Sequence, residues 1–252
     1  MLNYQCYTIH ELGQRSNQED SVFPEAGFSS TDGIFIVCDG MGGHEAGEVA
    51  SSVVCDTLSA HPELSFEDSL ALAYDALDTK DNGASRKMGT TLAYLRVFDD
   101  YAFVAHIGDS RVYQVRPSEK RLIFVTRDHS LVNELVAIGE ITPEEARTHP
   151  QKNVITRAMQ PGNGRAQAEI HLLNDVQPGD WFYVCSDGML ESMDDDNIVS
   201  VLSMRVSDGR KMKIFKSVTS NAGDNHSAHL IKIVEDKGGI RSFIHKSLPF
   251  IK

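Results

Sequence analysis

The chain has 252 residues, 41% of them hydrophobic, and a formal net charge of −12, which allows one large domain or two small ones around an ordinary packed core. The acid excess argues against nonspecific binding to nucleic acid or to an anionic membrane, because both need a cationic footprint. No stretch approaches the roughly 18 apolar residues of a membrane span, and the opening MLNYQCYTIHELGQRSNQED lacks both the basic start and the apolar centre of a signal peptide, so a soluble cytoplasmic protein is expected.

In chain order, strand-like runs fall at about 5–10, 34–38, 91–98, 101–106, 111–115, 121–125, 168–173, 181–185 and 228–234. Helices lie between and after them. Val49, Ala50, Val53, Val54 and Leu58 recur at helical spacing, as do Phe66, Leu70, Ala73, Tyr74 and Leu77, and Ser65 with Asp68 is spaced as a helix-capping pair. Thr142-Pro143-Glu144-Glu145 combines a capping threonine, a proline at the first helical position and a glutamate three residues on. The run Asp194-Asp195-Asp196 ahead of NIVSVLS suits the positive end of a helix dipole. The segment 200–220 is poor in the pattern expected of the helix there. Strands grouped in the middle and helices grouped in pairs point to α+β layers with mostly antiparallel sheet. The four cysteines, at 6, 38, 55 and 185, show no metal-type pairing and are expected to be buried free thiols.

Carboxylates recur where an apolar strand meets a turn: Glu19 and Asp20 in RSNQEDSVF, Asp39 in VCDGMGG, Asp109 in HIGDSRVY, Asp187 in CSDGML and Asp224 in AGDNHS. Each alone is ordinary turn chemistry. Brought together, such acids repel and are costly to desolvate, so convergence implies a neutralising cation, and an all-oxygen donor set favours Mg²⁺ or Mn²⁺ over zinc. Asp39 would then bridge ions, Gly40 would lend its carbonyl, and Gly42 and Gly43 would turn the chain sharply into the helix. A cysteine phosphatase is excluded by spacing, since the residues six places after the cysteines are Leu12, His44, His61 and Glu191 where that chemistry needs arginine.

The ordered set RSNQED, VCDGMGGHEAGEVAS, MGTTLAYLRV, HIGDSRVY, TRDHSLV, HPQKNVITRAM, CSDGML and DNHS resembles the metal-dependent serine/threonine protein phosphatases of the 2C (PPM) type, in their bacterial form, over about residues 8–235. The resemblance implies a four-layer α-β-β-α sandwich of two antiparallel sheets flanked by helix pairs, with metals in a cleft at one end. It implies Asp39 as the ligand bridging two ions, with the Gly40 carbonyl on the first. Asp187 and Asp224 would hold the second, with Glu19 and Asp20 binding directly or through water. Asp109 and Asp187 would hold a third, weaker ion. Arg15 matches the phosphate-gripping arginine and His44 the acid that protonates the leaving serine or threonine oxygen. Asp128 and His129 are expected to support the site, and Thr90 and Thr91 to be strand residues beside it.

The expected reaction is hydrolysis of phosphoserine and phosphothreonine in proteins by hydroxide generated between two ions. The rival is a noncatalytic regulatory binding protein on the same fold, which would normally have lost metal acids. Expected partners are phosphoproteins, including a serine/threonine kinase and its substrates, with neither nucleic acid nor membrane. The catalytic domain is expected over 1–236, with a flap at about 129–165 beside the cleft and a basic tail at 237–252. Met159-Gln160-Pro161-Gly162 departs from the family's leucine-glycine after TRA, so the flap edge is expected to differ.

Overall fold

A computed structural model describes residues 2–42, 46–81 and 88–235. Eleven strands among these residues form two antiparallel sheets. The first sheet is ordered β1 (Leu2–Glu11), β11 (His226–Glu235), β10 (Trp181–Cys185), β7 (Arg111–Arg116), β8 (Arg121–Val125). The second is ordered β2 (Asp20–Phe23), β3 (Ile34–Met41), β5 (Leu92–Val97), β6 (Ala102–Ile107), β9 (Glu169–Leu173), and the two-residue β4 (Gly89–Thr90) pairs with the end of β3.

Alternation along the strands divides the core into three. Phe35, Val37, Ala93, Leu95 and Val104 of the second sheet meet Val112, Phe182, Val184, Ile231 and Ile233 of the first, all buried between the sheets. Ile34, Ile36, Cys38, Leu92 and Tyr94 point the other way, under α1 (Ala46–Ala60) and α2 (Phe66–Lys80). Tyr113, Trp181, Tyr183 and Cys185 do the same under α5 (Asp195–Ser203) and α6 (Asp208–Thr219). The result is the expected α-β-β-α sandwich.

The predicted caps form. Ser65 accepts from the Asp68 N–H at 3.1 Å. Thr142 and Glu145 make a reciprocal capping box before α4 (Pro143–Thr148), which follows α3 (Leu131–Ala137) in the segment expected to form the flap. Asp194 caps α5 through the Asn197 N–H at 2.8 Å, with Asp195 and Asp196 in the first turn. The segment 200–220, poor in pattern, is nonetheless mostly helix. Its missing apolar residue is Lys211, which is buried, donates to the Leu202 carbonyl and lies 5.1 Å over the Trp181 ring. The four cysteines are free thiols; Cys38, Cys55 and Cys185 are buried and Cys6 is half-buried. Among the described residues no helix is long and apolar enough to cross a membrane.

Candidate active site

One end of the two sheets gathers the acids that the sequence placed at strand exits. Asp20 opens β2 and lies opposite Asp39 in the β2–β3 register. Asp187 begins a single 3-10 turn, Asp187–Leu190, directly after β10. Asp109 sits in the turn between β6 and β7, and Asp224 two residues before β11. They converge: Asp39 feels the charges of Asp20, Asp187 and Asp109, and Asp20 those of Asp187 and Asp224.

The backbone around them tolerates almost no change. A Cβ at Gly40 would stand 2.2 Å from the Gly47 carbonyl oxygen and 2.5 Å from that of Glu19, while one at Gly47 would stand 2.9 Å from the Gly40 carbonyl carbon. Two glycines are therefore needed where the exit of β3 crosses the first turn of α1. The sequence assigned Gly40 to carbonyl approach alone; this crossing is a second, independent demand for it. Gly42 has a positive φ (136°), a conformation that favours glycine, and Gly43 lies outside the described residues.

Side chains that the sequence passed over hold the acids in place. Ser186 donates to Asp20 Oδ2 at 2.8 Å while its own oxygen accepts the Ser227 N–H at 3.0 Å. Asn225 accepts the Glu19 N–H at 2.8 Å and donates to the Leu12 and Asn17 carbonyls at 2.8 and 2.9 Å, tying the Arg15 loop to the turn that carries Asp224. Only the serine and asparagine flanking each acid could have signalled this in sequence. Thr90 and Thr91 support the site as expected. Thr91 Oγ1 accepts the Asp39 N–H at 3.0 Å and shares a 2.6 Å hydrogen bond with Ser110, beside Asp109. Thr90 donates to the Asp39 carbonyl at 3.0 Å, and its backbone exchanges two hydrogen bonds with Met159.

The electrostatics are those of a site short of positive charge. Burial pushes the Asp20 carboxyl up to about 7, against the lowering effect of hydrogen bonds from Ser227 and Ser186, with Asp187 and Asp224 adding to the rise. Asp109 is likewise pushed up to about 7 by burial, then by Asp187 and Asp128. Asp39 is held well above the usual carboxylate range by burial and by Asp20, Asp187 and Asp109, and burial raises Asp187 too. Asp20 Oδ1 and Asp187 Oδ1 are buried acceptors with no hydrogen-bond donor among the described residues. Buried oxygens of this kind, on converging acids, fit a hard divalent cation.

Arg15 stands at the rim, 56% exposed, with Nη2 2.5 Å from Asp224 Oδ2. Glu19, half-buried, places its carboxyl carbon beside Gly47 at the start of α1. His44 and the segment 237–252 lie outside the described residues. Between Met41, at the end of β3, and Ile155, Arg157, Gln160 and Gln167 runs a cleft of about 500 Å³.

The Protein phosphatase 2C family profile matches residues 10–235. The chain belongs to this family. A putative protein phosphatase 2C-type from Streptococcus pyogenes is 37% identical over 214 residues, covering 78% of this chain and 83% of the relative. The solved serine/threonine phosphatase PstP/Ppp of Mycobacterium tuberculosis superposes with a TM-score of 0.79 at 27% identity, over 93% of this chain and 99% of that one. A structure of the PstP catalytic domain in complex with two manganese ions gives a TM-score of 0.76 at 27% identity, over 93% of this chain and 100% of that one. The protein is thus a serine/threonine protein phosphatase of the bacterial 2C type, and the noncatalytic alternative is not favoured.

Proposed function

We propose that the acids at the sheet ends form the metal site of this phosphatase: Asp39 with the Gly40 carbonyl on one ion, Asp39, Asp187 and Asp224 on a second with Glu19 and Asp20 directly or through water, and Asp109 with Asp187 on a third, weaker one. The observation that supports the reading is the pair of buried oxygens, Asp20 Oδ1 and Asp187 Oδ1, that find no donor among the described residues, on carboxyls held above their ordinary range. When bound, divalent cations lower the pKa of water and withdraw charge from phosphoryl oxygens. The chain's own contribution is placement. Thr90, Thr91, Ser186 and Asn225 fix the acids by the hydrogen bonds given above. Arg15, exposed and adjacent to Asp224, holds two oxygens of the phosphoryl group with its planar fork. His44 donates the proton that the leaving serine or threonine oxygen needs.

The manganese-bound PstP catalytic domain supports Mn²⁺ as a usable ion here, Mg²⁺ being the alternative of the same hard-oxygen class. The substrates are phosphorylated proteins, among them a serine/threonine kinase and that kinase's targets, in the cytoplasm. The catalytic unit spans 1–236, and the cleft against the flap receives the polypeptide flanking the phosphoresidue. Phosphate release from a phosphothreonine peptide tests the reading. Chelator should abolish it, added Mn²⁺ should restore it, and thiol alkylation should leave it intact; full turnover in excess chelator would refute the metal mechanism.

A further inference from the structure

His129 makes more directed contacts with the Asp109 turn than any sequence argument gave it. Its backbone N–H donates to the Gly108 carbonyl at 2.9 Å, and the Gly108 N–H returns a hydrogen bond to His129 Nδ1 at 3.1 Å. The residue so gripped immediately precedes Asp109. Gly108 has φ +99°, and a Cβ there would stand 2.7 Å from Thr91 Cγ2, so the turn is wedged between Thr91 and the imidazole. On its far side the His129 carbonyl accepts the Thr156 N–H at 2.8 Å, and the neighbouring Ser130 bridges to Ile155. His129 therefore touches the acid turn with one edge and the flap with the other.

The hydrogen-bond directions fix what the ring can do. Because Nδ1 accepts from Gly108, the neutral ring carries its proton on Nε2, which faces Glu169 Oε2 at 3.3 Å. The ring stacks on the buried His106 at 4.5 Å and 5°, and His106 in turn donates Nε2–H to the Arg127 carbonyl at 2.9 Å. His106, His129 and Glu169 lie close enough to suggest a cation nest. That reading fails at His129, whose Nε2 has no lone pair to give while Nδ1 is engaged by Gly108, and beside which the Arg157 guanidinium, 3.3 Å away and unable to accept the Nε2 proton, adds a positive charge that repels a cation. A proton-bearing Nε2 held by Glu169 instead locks the ring plane, which keeps Nδ1 aimed at the Gly108 amide.

We infer that His129 is a positioning residue for Asp109: its imidazole Nδ1, oriented by Glu169, sets the Gly108–Asp109 turn, and its backbone carbonyl ties that turn to Thr156. The functional consequence rests on the reading of Asp109 as a ligand of the weaker ion. With the turn released, Asp109 samples other positions and that ion is held less tightly, by the 10–100-fold that loss of an orienting partner commonly costs.

Two amides separate the edges of the ring. Asn at 129 places Oδ1 near the Nδ1 position and can accept from Gly108, whereas Gln reaches toward Glu169 and leaves the Gly108 N–H without its acceptor. In metal-free protein, amide hydrogen exchange followed by NMR should show the Gly108 N–H protected in wild type and His129→Asn and exchanging at least tenfold faster in His129→Gln. Mn²⁺ binding by calorimetry should show the weakest ion lost or weakened about tenfold or more in His129→Gln, near wild type in His129→Asn, and no further change when His129→Gln is added to Asp109→Ala. Equal Gly108 exchange in the three proteins overturns the inference, and so does an Asn variant that folds with Gly108 unprotected. If Gly108 behaves as expected but Asp109→Ala binds Mn²⁺ like wild type, the ligand reading of Asp109 fails while the positioning of its turn stands.

Discussion

Asp20 and Asp39 face each other across the β2–β3 pair, two carboxyls opposite one another at the end of a sheet. Like charges so placed destabilise the fold unless protonated or neutralised by a cation. The Asp20 carboxyl, ordinarily at 3.8, is pushed up to about 7 in the metal-free protein. A carboxyl raised in the folded state contributes most below its unfolded value and loses that contribution as pH climbs through the folded one. Metal-free Asp20→Asn should therefore melt higher than wild type at pH 8, with the advantage shrinking toward pH 4. Its ceiling is roughly 4 kcal/mol, or about 8–16 °C in a domain of this size. Saturating Mn²⁺ should reverse the order at pH 8. Melting curves at three pH values, with and without Mn²⁺, decide it; an Asn variant less stable than wild type at pH 8 without metal would sink the argument.

Gly47→Ala tests the crossing of β3 and α1. The new Cβ would meet the Gly40 carbonyl carbon and the Met41 nitrogen, each at 2.9 Å, both backbone atoms that cannot rotate away. Overpacking of this kind costs roughly 1–3 kcal/mol. Because the strain falls on the carbonyl assigned to the first ion, catalysis should fall further than stability, by about tenfold or more at fixed Mn²⁺. A variant with wild-type melting and turnover would show that helix and strand separate freely here.

Much of this arrangement was legible in the sequence because each acid interrupts an apolar run at a turn, a pattern that survives without any knowledge of contacts. Asp187 follows the buried strand β10 after one residue, as that pattern put it, whereas β3 runs on through Asp39 to Met41, two residues beyond the acid that was expected to end it. The strand β2 was not legible, since DSVF has only four residues, too short a run to show alternation, and its partners on β3 lie about 15 residues further along the chain. The helix α6 was obscured because Lys211 occupies a core position by burying its stem and finding the Leu202 carbonyl, which a hydrophobicity pattern scores as polar. Ser186 and Asn225 were invisible for a different reason: their partners lie 166 and 206 residues away along the chain.

Asp109→Ala separates ligand from turn. The carboxyl is pushed up to about 7 by burial and by Asp187 and Asp128, an unfavourable place for an acid whose only task is to close a hairpin. Removing it relieves repulsion, so the metal-free protein should be no less stable. Turnover should fall by about an order of magnitude or more, partly recovered at high Mn²⁺. Steady-state kinetics across a Mn²⁺ titration, alongside melting curves, provide the check. Wild-type kcat at every Mn²⁺ concentration, or simple unfolding, would return Asp109 to a structural role.

The ion pair between Arg15 and Asp224 makes the last prediction. Arg15 Nη2 lies 2.5 Å from Asp224 Oδ2, and the two side chains are 56% and 33% exposed. An exposed pair of this kind adds little to stability, so Arg15→Ala should leave the melting temperature within a degree or two. Under the proposed function its role is different: one edge of the guanidinium would neutralise Asp224 in the metal site, and the remaining N–H groups would meet phosphoryl oxygens at the rim. Arg15→Ala should raise KM for a phosphopeptide and the inhibition constant for inorganic phosphate together, each by roughly tenfold, the scale of one charge-assisted hydrogen bond. Arg15→Lys keeps the charge but not the planar fork, so it should recover only part of both. The parallel movement is the discriminating feature. If Arg15 served only to anchor Asp224, its loss would shift the Mn²⁺ requirement and leave the phosphate inhibition constant at saturating Mn²⁺ unchanged.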